Sequence, residues 1–216
     1  MTSFSRASAA LLSGLQSKAM RRTILVVVAI VAGSLTLHAA QNLVGDAGRG
    51  GKFFQEMKCL MCHTVRGAGG KVGPELGAKA SVHDSPNAVA GAMWSHAIKM
   101  WDAMTKAGVQ RPKISEQQAA DLVVYIAGKV QADKPGDVKR GQQVYQAKFC
   151  ASCHDQYSGA PDFTKLGGRA STYWMVAGMW EHGAGMLSRM VARNTTWQTL
   201  SAQEVGDILT YLNSRK

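Results

Sequence analysis

The sequence contains one arrangement of residues twice, and this duplication restricts the possible folds more than any other feature. The pattern Cys-x-x-Cys-His occurs at residues 59–63 and again at residues 150–154, and it uses all four cysteines of the chain. A Gly-Asp-x-x-Arg-Gly stretch precedes each pattern, beginning at Gly45 and at Gly136. A period of about 90 residues is too long for a solenoid repeat and has the size of a small domain.

Two further segments recur with their spacing retained. The pattern Met-Trp-x-His-x-x-x-Met-x-x-x-Met occupies residues 93–104 and 179–190. Each copy then closes with a helical pattern, Ser115 to Val130 and Ser201 to Ser214, in which a capping serine precedes apolar residues on one face. No stretch alternates like a half-buried strand, so the sequence predicts an all-α fold.

These patterns divide the chain into five parts. The predicted parts are a cytoplasmic N-terminal segment, 1–22, a membrane anchor, 23–40, a first domain, 45–130, a linker, 131–137, and a second domain, 138–216.

Each copy is small and rich in glycine, so a large apolar cofactor would add much of the buried surface that a stable core needs.

Residues 23–40 have no charged side chain, and basic residues precede them. The run is about as long as the roughly 20 residues that cross a bilayer. Positive charge on its N-terminal side predicts that the N-terminus is cytoplasmic. We therefore predict a single-pass anchor in a bacterial-type inner membrane with the remainder on the periplasmic side. A cleaved signal peptide is the alternative, although Leu37 and His38 fit a cleavage site poorly.

The chain is basic, with a formal net charge of +11. Such a surface attracts acidic proteins, anionic lipid or nucleic acid. The sequence has no block of consecutive basic residues and no stripe of basic and aromatic residues, which argues against nucleic-acid binding. Acidic docking surfaces on protein partners are the expected counterpart.

The two cysteine patterns fit three interpretations. A disulfide in each copy leaves the adjacent histidines, His63 and His154, without a role. A zinc site with four cysteines requires the two copies to share one metal, and it leaves the same histidines unused. Covalent haem attachment gives every member of the pattern a function, since two thiols join the haem vinyl groups and the histidine becomes an axial ligand of the iron.

With these motifs in this order, the sequence resembles class I c-type cytochromes, specifically the tandem dihaem kind, over about residues 45–216. The resemblance implies two covalently bound haem c groups, with iron ligated by His63 and His154. The attachment residues are Cys59, Cys62, Cys150 and Cys153.

The resemblance also implies contacts around each haem. A proline after the cysteine motif, Pro74 or Pro161, is expected near a carbonyl group that orients the histidine ring. Trp94 and Trp180 are expected to pack on the haem or line its pocket. The first and last helices are expected to cross at aromatic pairs, which are Phe54 with Tyr125 and Tyr145 with Tyr211.

The sixth iron ligand separates an electron carrier from a catalyst. The resemblance implies a methionine between the middle and last helices, and we predict Met104 and Met190, each eleven residues before the serine that opens the last helix. The family's short methionine loop is replaced here by a helix-like segment, so other ligands stay open. These alternatives are Met100, Met186, His96 and His182.

Two protein ligands on each iron leave no place for a small-molecule substrate. The resemblance then implies a protein that relays single electrons between a respiratory or photosynthetic donor complex, or a dehydrogenase, and a terminal acceptor, either free or as a subunit of a larger complex. The alternative is a dihaem enzyme, a peroxidase or a sulfur-compound oxidoreductase, in which one haem has an open site.

Overall fold

The computed structural model describes residues 43–77, 83–156 and 159–215. The predicted N-terminal segment, 1–22, and the predicted anchor, 23–40, lie outside the described residues. None of the helices in the described ranges has the length and hydropathy needed to cross a membrane. Residues Leu43–Lys216 form one unit, which contains both copies of the repeat.

Each copy is built from helices in the same order. The first copy contains α1, Ala47–Glu56, α2, Pro86–Lys106, and α3, Glu116–Ala127. The second contains α4, Val138–Ala147, the short α5, Ala151–His154, α6, Thr172–Ala192, and α7, Ala202–Ser214. Single 3-10 turns occupy Cys59–Met61 and Phe163–Lys165, and an antiparallel pair joins β1, Thr64–Val65, to β2, Ala68–Gly69. The described residues are mainly helical, as predicted, and the hairpin is the feature that the sequence pattern missed.

The closing helices begin where the sequence predicts. Ser115 and Ser201 open α3 and α7, and each forms a complete capping box with the residue three positions later. α3 ends at Ala127, before the predicted Val130, because Gly128 takes a φ of 68° that interrupts the helix.

The first and last helices of each copy cross at a glycine. Gly50 of α1 lies so close to α3 that a Cβ atom there would overlap the carbonyl oxygen of Asp121. Gly141 of α4 meets Asp207 of α7 in the same way. Because a residue without a Cβ atom permits this approach, the two glycines determine where the helices cross.

The expected aromatic pairs lie beside these crossings. The ring centroids of Phe54 and Tyr125 are 5.5 Å apart, and those of Tyr145 and Tyr211 are also 5.5 Å apart. Phe54 and Tyr145 are buried in the core. The predicted contacts between first and last helices are therefore confirmed.

A buried carboxylate joins the crossing helices in each copy. The side chain of Asp207 is 3% exposed, and it accepts hydrogen bonds from Arg140 Nε at 2.9 Å, Arg140 Nη2 at 3.0 Å and the backbone N–H of Asp137 at 2.7 Å. The bonds from Arg140 hold the pKa of Asp207 below its usual range. Arg49 and Asp121 form the same pair in the first copy. The repeated Gly-Asp-x-x-Arg-Gly stretch thus binds the first helix of each copy to the last helix through hydrogen bonds to a buried aspartate.

The middle helices, α2 and α6, pack across the two copies. α2 contacts α7 more extensively than α3, and α6 contacts α3 more extensively than α7. A Cβ atom on Gly91 of α2 would lie 2.8 Å from the carbonyl oxygen of Leu200. Ser95 Oγ donates to the same oxygen at 3.2 Å and accepts the N–H of Leu200 at 3.0 Å. Each copy therefore supplies a helix that completes the core of the other.

Tryptophan rings fill the space between the copies. Trp101 and Trp180 meet edge to face with centroids 6.3 Å apart, and Trp101 also packs on Trp197 at 5.5 Å. Gly183 leaves room for this packing, because a Cβ atom there would overlap the Trp101 ring. Trp101 and Trp180 are buried, and among the described residues nothing accepts their indole N–H groups. This part of the contact between the copies is therefore apolar and closely packed, like a protein interior.

Replacing Gly50 by alanine should destabilise the protein by about 1–3 kcal/mol, the usual cost of overpacking, because the new methyl group meets the backbone of Asp121. Gly48→Ala in the same helix is the control, since its Cβ atom would meet a carboxylate oxygen of Asp46 at 3.2 Å and no backbone of another helix. Chemical denaturation compares the two variants with the parent. Equal stability of the two variants would contradict the crossing described above.

Replacing Asp207 by asparagine should lower the free energy of unfolding at neutral pH by about 1–3 kcal/mol. Because the folded-state pKa of Asp207 is lowered, its stabilising effect is complete above the unfolded pKa of about 3.9 and is lost as the pH falls through the folded value. The difference from the parent should therefore shrink below about pH 4. Denaturation curves of the variant and the parent at neutral and acidic pH measure this difference in the free energy of unfolding.

Asp102→Asn is the control for this charge effect. Asp102 forms an exposed pair with Lys106 on one helix, and such pairs contribute about 0.5 kcal/mol or less. A loss of stability at neutral pH as large as that of Asp207→Asn would show that the buried pair has no special role.

Candidate functional site

Each Cys-x-x-Cys-His stretch forms a tight turn directly after the first helix of its copy. Lys58 and Phe149, which precede the two stretches, take φ values of 62° and 63°. The N–H of each histidine then bonds to the carbonyl oxygen of the first cysteine in its stretch, at 3.0 Å in the first copy and 2.9 Å in the second. The two turns therefore present their cysteines and histidine in the same local arrangement.

The four thiols are free and partly buried. Burial raises the pKa of Cys59 to about 11 and that of Cys150 to about 12. Over the described ranges, no group of three or more His, Cys, Asp or Glu side chains is arranged to hold a metal ion. The arrangement thus offers no support to a zinc site shared by the four cysteines.

The histidine of the first copy is oriented by a proline carbonyl group. His63 Nδ1 lies 2.9 Å from the carbonyl oxygen of Pro74, where the N–H form of this nitrogen donates. Gly73 lies against the ring, and a Cβ atom there would be 2.7 Å from Nδ1. With Nδ1 engaged, Nε2 is the nitrogen left for a metal.

The second copy has the same bond despite a different local sequence. His154 Nδ1 lies 2.9 Å from the carbonyl oxygen of Pro161, although Ala160 replaces the glycine. Burial lowers the pKa of His154 and favours the neutral ring that binds metals. Phe163 stacks on this ring with centroids 3.9 Å apart. The carbonyl groups expected near both prolines are thus those of the prolines themselves.

A cavity of about 600 Å³ lies over the second Cys-x-x-Cys-His turn. This volume is within the range of sites that enclose cofactor-sized ligands. Most of the wall is apolar, with Phe163, Met175 and Leu209 among the contributing side chains. The predicted site residues of the second copy that line the cavity are Cys150, Cys153, His154, Pro161, His182, Met186 and Met190.

The candidate sixth ligands of the second copy all face this cavity. Met186 and Met190 are half-buried, His182 is exposed, and all three line the wall from α6. Met175 and Met179 of the same helix line it as well. Sequence comparison of the copies missed Met175, because Val89 occupies the matching position in the first copy.

In the first copy, the candidate methionines lie on α2. Met100 and Met104 are half-buried and pack against the core. His96 is exposed, and its Nδ1 lies 2.9 Å from the carbonyl oxygen of Ala92. His83, which has no counterpart in the repeat, lies near this group: burial lowers its pKa first, and His96 and His63 lower it further. Comparing the copies gave no signal for His83.

The two tryptophans of the repeated segment occupy different surroundings. Trp94 of the first copy lines the cavity of the second. Trp180 packs against Trp101 between the copies and is not among the described residues that line this cavity. Both positions follow from the middle helices, which turn these faces toward the other copy.

The surroundings of the two histidines differ in charge. Asp155, directly after His154, accepts bonds from Arg215 Nη1 at 2.7 Å and Nη2 at 3.0 Å and from the hydroxyl of Tyr145 at 2.9 Å. Burial and this carboxylate raise the pKa of Tyr145. The first copy has Thr64 and Phe54 at the matching positions. Because Phe54 has no hydroxyl group and Thr64 no carboxylate, the bond between Tyr145 and Asp155 has no counterpart in the first copy.

Paired thiols and a neutral imidazole beneath an apolar cavity are the requirements of covalent haem attachment, which places the protein in the c-type class. The family models agree: residues 47–128 match the model described as cytochrome c, and residues 136–212 match the model described as cytochrome c oxidase, cbb3-type, subunit III. The chain belongs to the tandem class I c-type cytochromes and carries two covalently bound haem c groups. No curated protein and no solved structure matches it.

The residues present fit this cofactor. The cysteine thiols of each turn would form the thioether bonds, and His63 and His154 would ligate iron through Nε2 while the proline carbonyl groups hold their orientation. Haem iron exchanges single electrons between its ferrous and ferric forms. The cytochrome c domains therefore support a role in haem-based electron transfer.

Replacing Gly73 by alanine should disturb the first haem site. The new Cβ atom would lie 2.7 Å from His63 Nδ1 and would push the ring away from the Pro74 carbonyl group. We expect the ferric absorption and electron paramagnetic resonance signals of one haem to change. Ala160→Gly, the matched change in the second copy, should leave both haem spectra as in the parent. Indistinguishable spectra for all three proteins would contradict this role of Gly73.

Proposed function

We propose that this dihaem cytochrome relays single electrons between a donor, either a quinol-oxidising complex or a dehydrogenase, and a terminal acceptor such as an oxidase. The observation that carries the proposal is the cavity at His154, whose wall also contains Met186 and Met190, either of which could supply a second protein ligand. An iron with protein ligands on both sides exchanges electrons and has no open position for substrate.

For the sixth ligands we propose Met104 and Met190, which occupy matching positions in the two copies. Methionine ligation gives a higher potential than histidine ligation and suits transfer toward an oxidase. Met100 and Met186 lie one helical turn away on the same helices. His96 and His182 are the nitrogen alternatives.

The partners we propose are redox proteins with acidic docking surfaces. The net charge of +11 favours them, because complementary charge speeds the encounter of two proteins. The match of residues 136–212 to the subunit III model supports delivery of electrons to an oxidase, either as a free carrier or as a subunit of a larger complex. We place the haem domains on the periplasmic side of the membrane, tethered by residues 23–40.

Reductive titration of the holoprotein, followed by absorption spectroscopy, tests the relay. Both haems should be low-spin, should show the ferric absorption band of methionine ligation and should not bind carbon monoxide. Met104→Ala should remove the band from one haem and Met190→Ala from the other. Met100→Ala and Met186→Ala, one turn away, are the matched controls and should retain it.

The outcomes separate the ligand assignment from the function. If the band is lost in Met100→Ala or Met186→Ala instead, the relay stands with a different methionine. Rapid binding of carbon monoxide to one haem of the parent protein would overturn the relay for that copy and favour a dihaem enzyme with an open site.

A further inference from the structure

Among the described residues, the wall of the cavity in the second copy contains one residue from the first copy. Trp94 lies on α2, two residues before His96, yet it lines the cavity that Cys150, Cys153 and His154 also line. The internal repeat does not predict this position, because the repeat assigns Trp94 to the same copy as Cys59.

Contacts from the second copy hold the Trp94 side chain in place. Its indole Nε1 donates to the carbonyl oxygen of Gln198 at 2.6 Å. Its ring stacks on that of Trp197, with centroids 4.5 Å apart and an angle of 25° between the planes. Trp197 Nε1 in turn donates to the carbonyl oxygen of Trp94 at 3.0 Å. Two contacts therefore fix the ring against the segment that precedes α7, and a third fixes the backbone of Trp94 against the same segment.

The backbone of α2 is also fixed at this place. Ser95, the next residue, exchanges two hydrogen bonds with Leu200, and Gly91 lies one turn earlier against the same carbonyl group. Trp94 thus reaches the cavity from a part of the helix that cannot move away without breaking the contact between the copies.

We propose that Trp94 is a residue of the second haem site, so that this site is assembled from both copies of the repeat. The proposal rests on haem attachment at Cys150 and Cys153. It does not depend on which partners exchange electrons with the protein.

The chemical role of Trp94 is to keep water out of the second site. Ferric haem carries one more positive charge than ferrous haem, and a charge is less stable where water is excluded. A closed apolar wall therefore favours the ferrous form and raises the reduction potential. Trp94→Ala opens this wall. We expect it to lower the equilibrium constant for reduction of the second haem about tenfold, which is a fall of about 59 mV in the midpoint potential of a one-electron couple.

The test is a spectroelectrochemical titration of the full-length holoprotein. The second haem is first marked by Cys153→Ala, which leaves one vinyl group free and moves the absorption bands of that haem to longer wavelength. The marked protein is then compared with and without Trp94→Ala. We expect the midpoint potential of the marked haem to fall. The equilibrium constant for reduction of the unmarked haem should change by less than twofold.

Ser95→Ala in the same marked protein is the matched control. It removes the hydrogen bonds to Leu200 at the contact between the copies, but Ser95 does not line the cavity. It should leave both midpoints unchanged. An equal fall with Ser95→Ala would overturn the proposal, because general loosening of the contact would then explain the shift.

Trp94→Phe covers the case in which Trp94→Ala does not retain its haems. Phenylalanine keeps an aromatic wall and loses the bond to Gln198, so a smaller fall confined to the marked haem is expected. A shift of the unmarked haem alone, equal shifts of both haems, or no shift in either variant would overturn the proposal. Carbon monoxide binding by the parent would overturn the proposed electron relay. It would not affect this comparison of midpoint potentials.

Discussion

The contact between the first and last helix of each copy determines where the remaining elements lie. At Gly50 and Gly141 the backbones meet without an intervening side chain, and a buried aspartate on the last helix binds the arginine of the first. The cysteine turn follows the first helix within a few residues. The crossing therefore fixes the position of the thiols and the histidine before any other packing is considered.

The middle helices add a second constraint, which acts between the copies. Domains joined by a linker normally move relative to each other unless their contact is extensive and apolar. Here α2 and α6 bury tryptophan rings against the other copy and leave no polar layer at Trp101 and Trp180. The separation between the two haem sites is thus fixed by packing.

The sequence was sufficient to predict the features that are encoded locally. The serine caps, the aromatic pairs at the crossings and the proline carbonyl groups all lie where spacing and resemblance indicated. The partner of the middle helix was not predictable, because an apolar helix face shows that a residue is buried but not which helix covers it. The position of Trp94 follows from that missing information.

Because each middle helix covers the last helix of the other copy, one copy alone would leave an apolar face uncovered. Two separate chains with this sequence pattern would meet through the same surface twice, as in a symmetric dimer. Residues 131–137 join these two halves, and a short tether raises the effective concentration of one half near the other to the millimolar range. The duplicated chain is therefore physically equivalent to a dimer that does not dissociate on dilution.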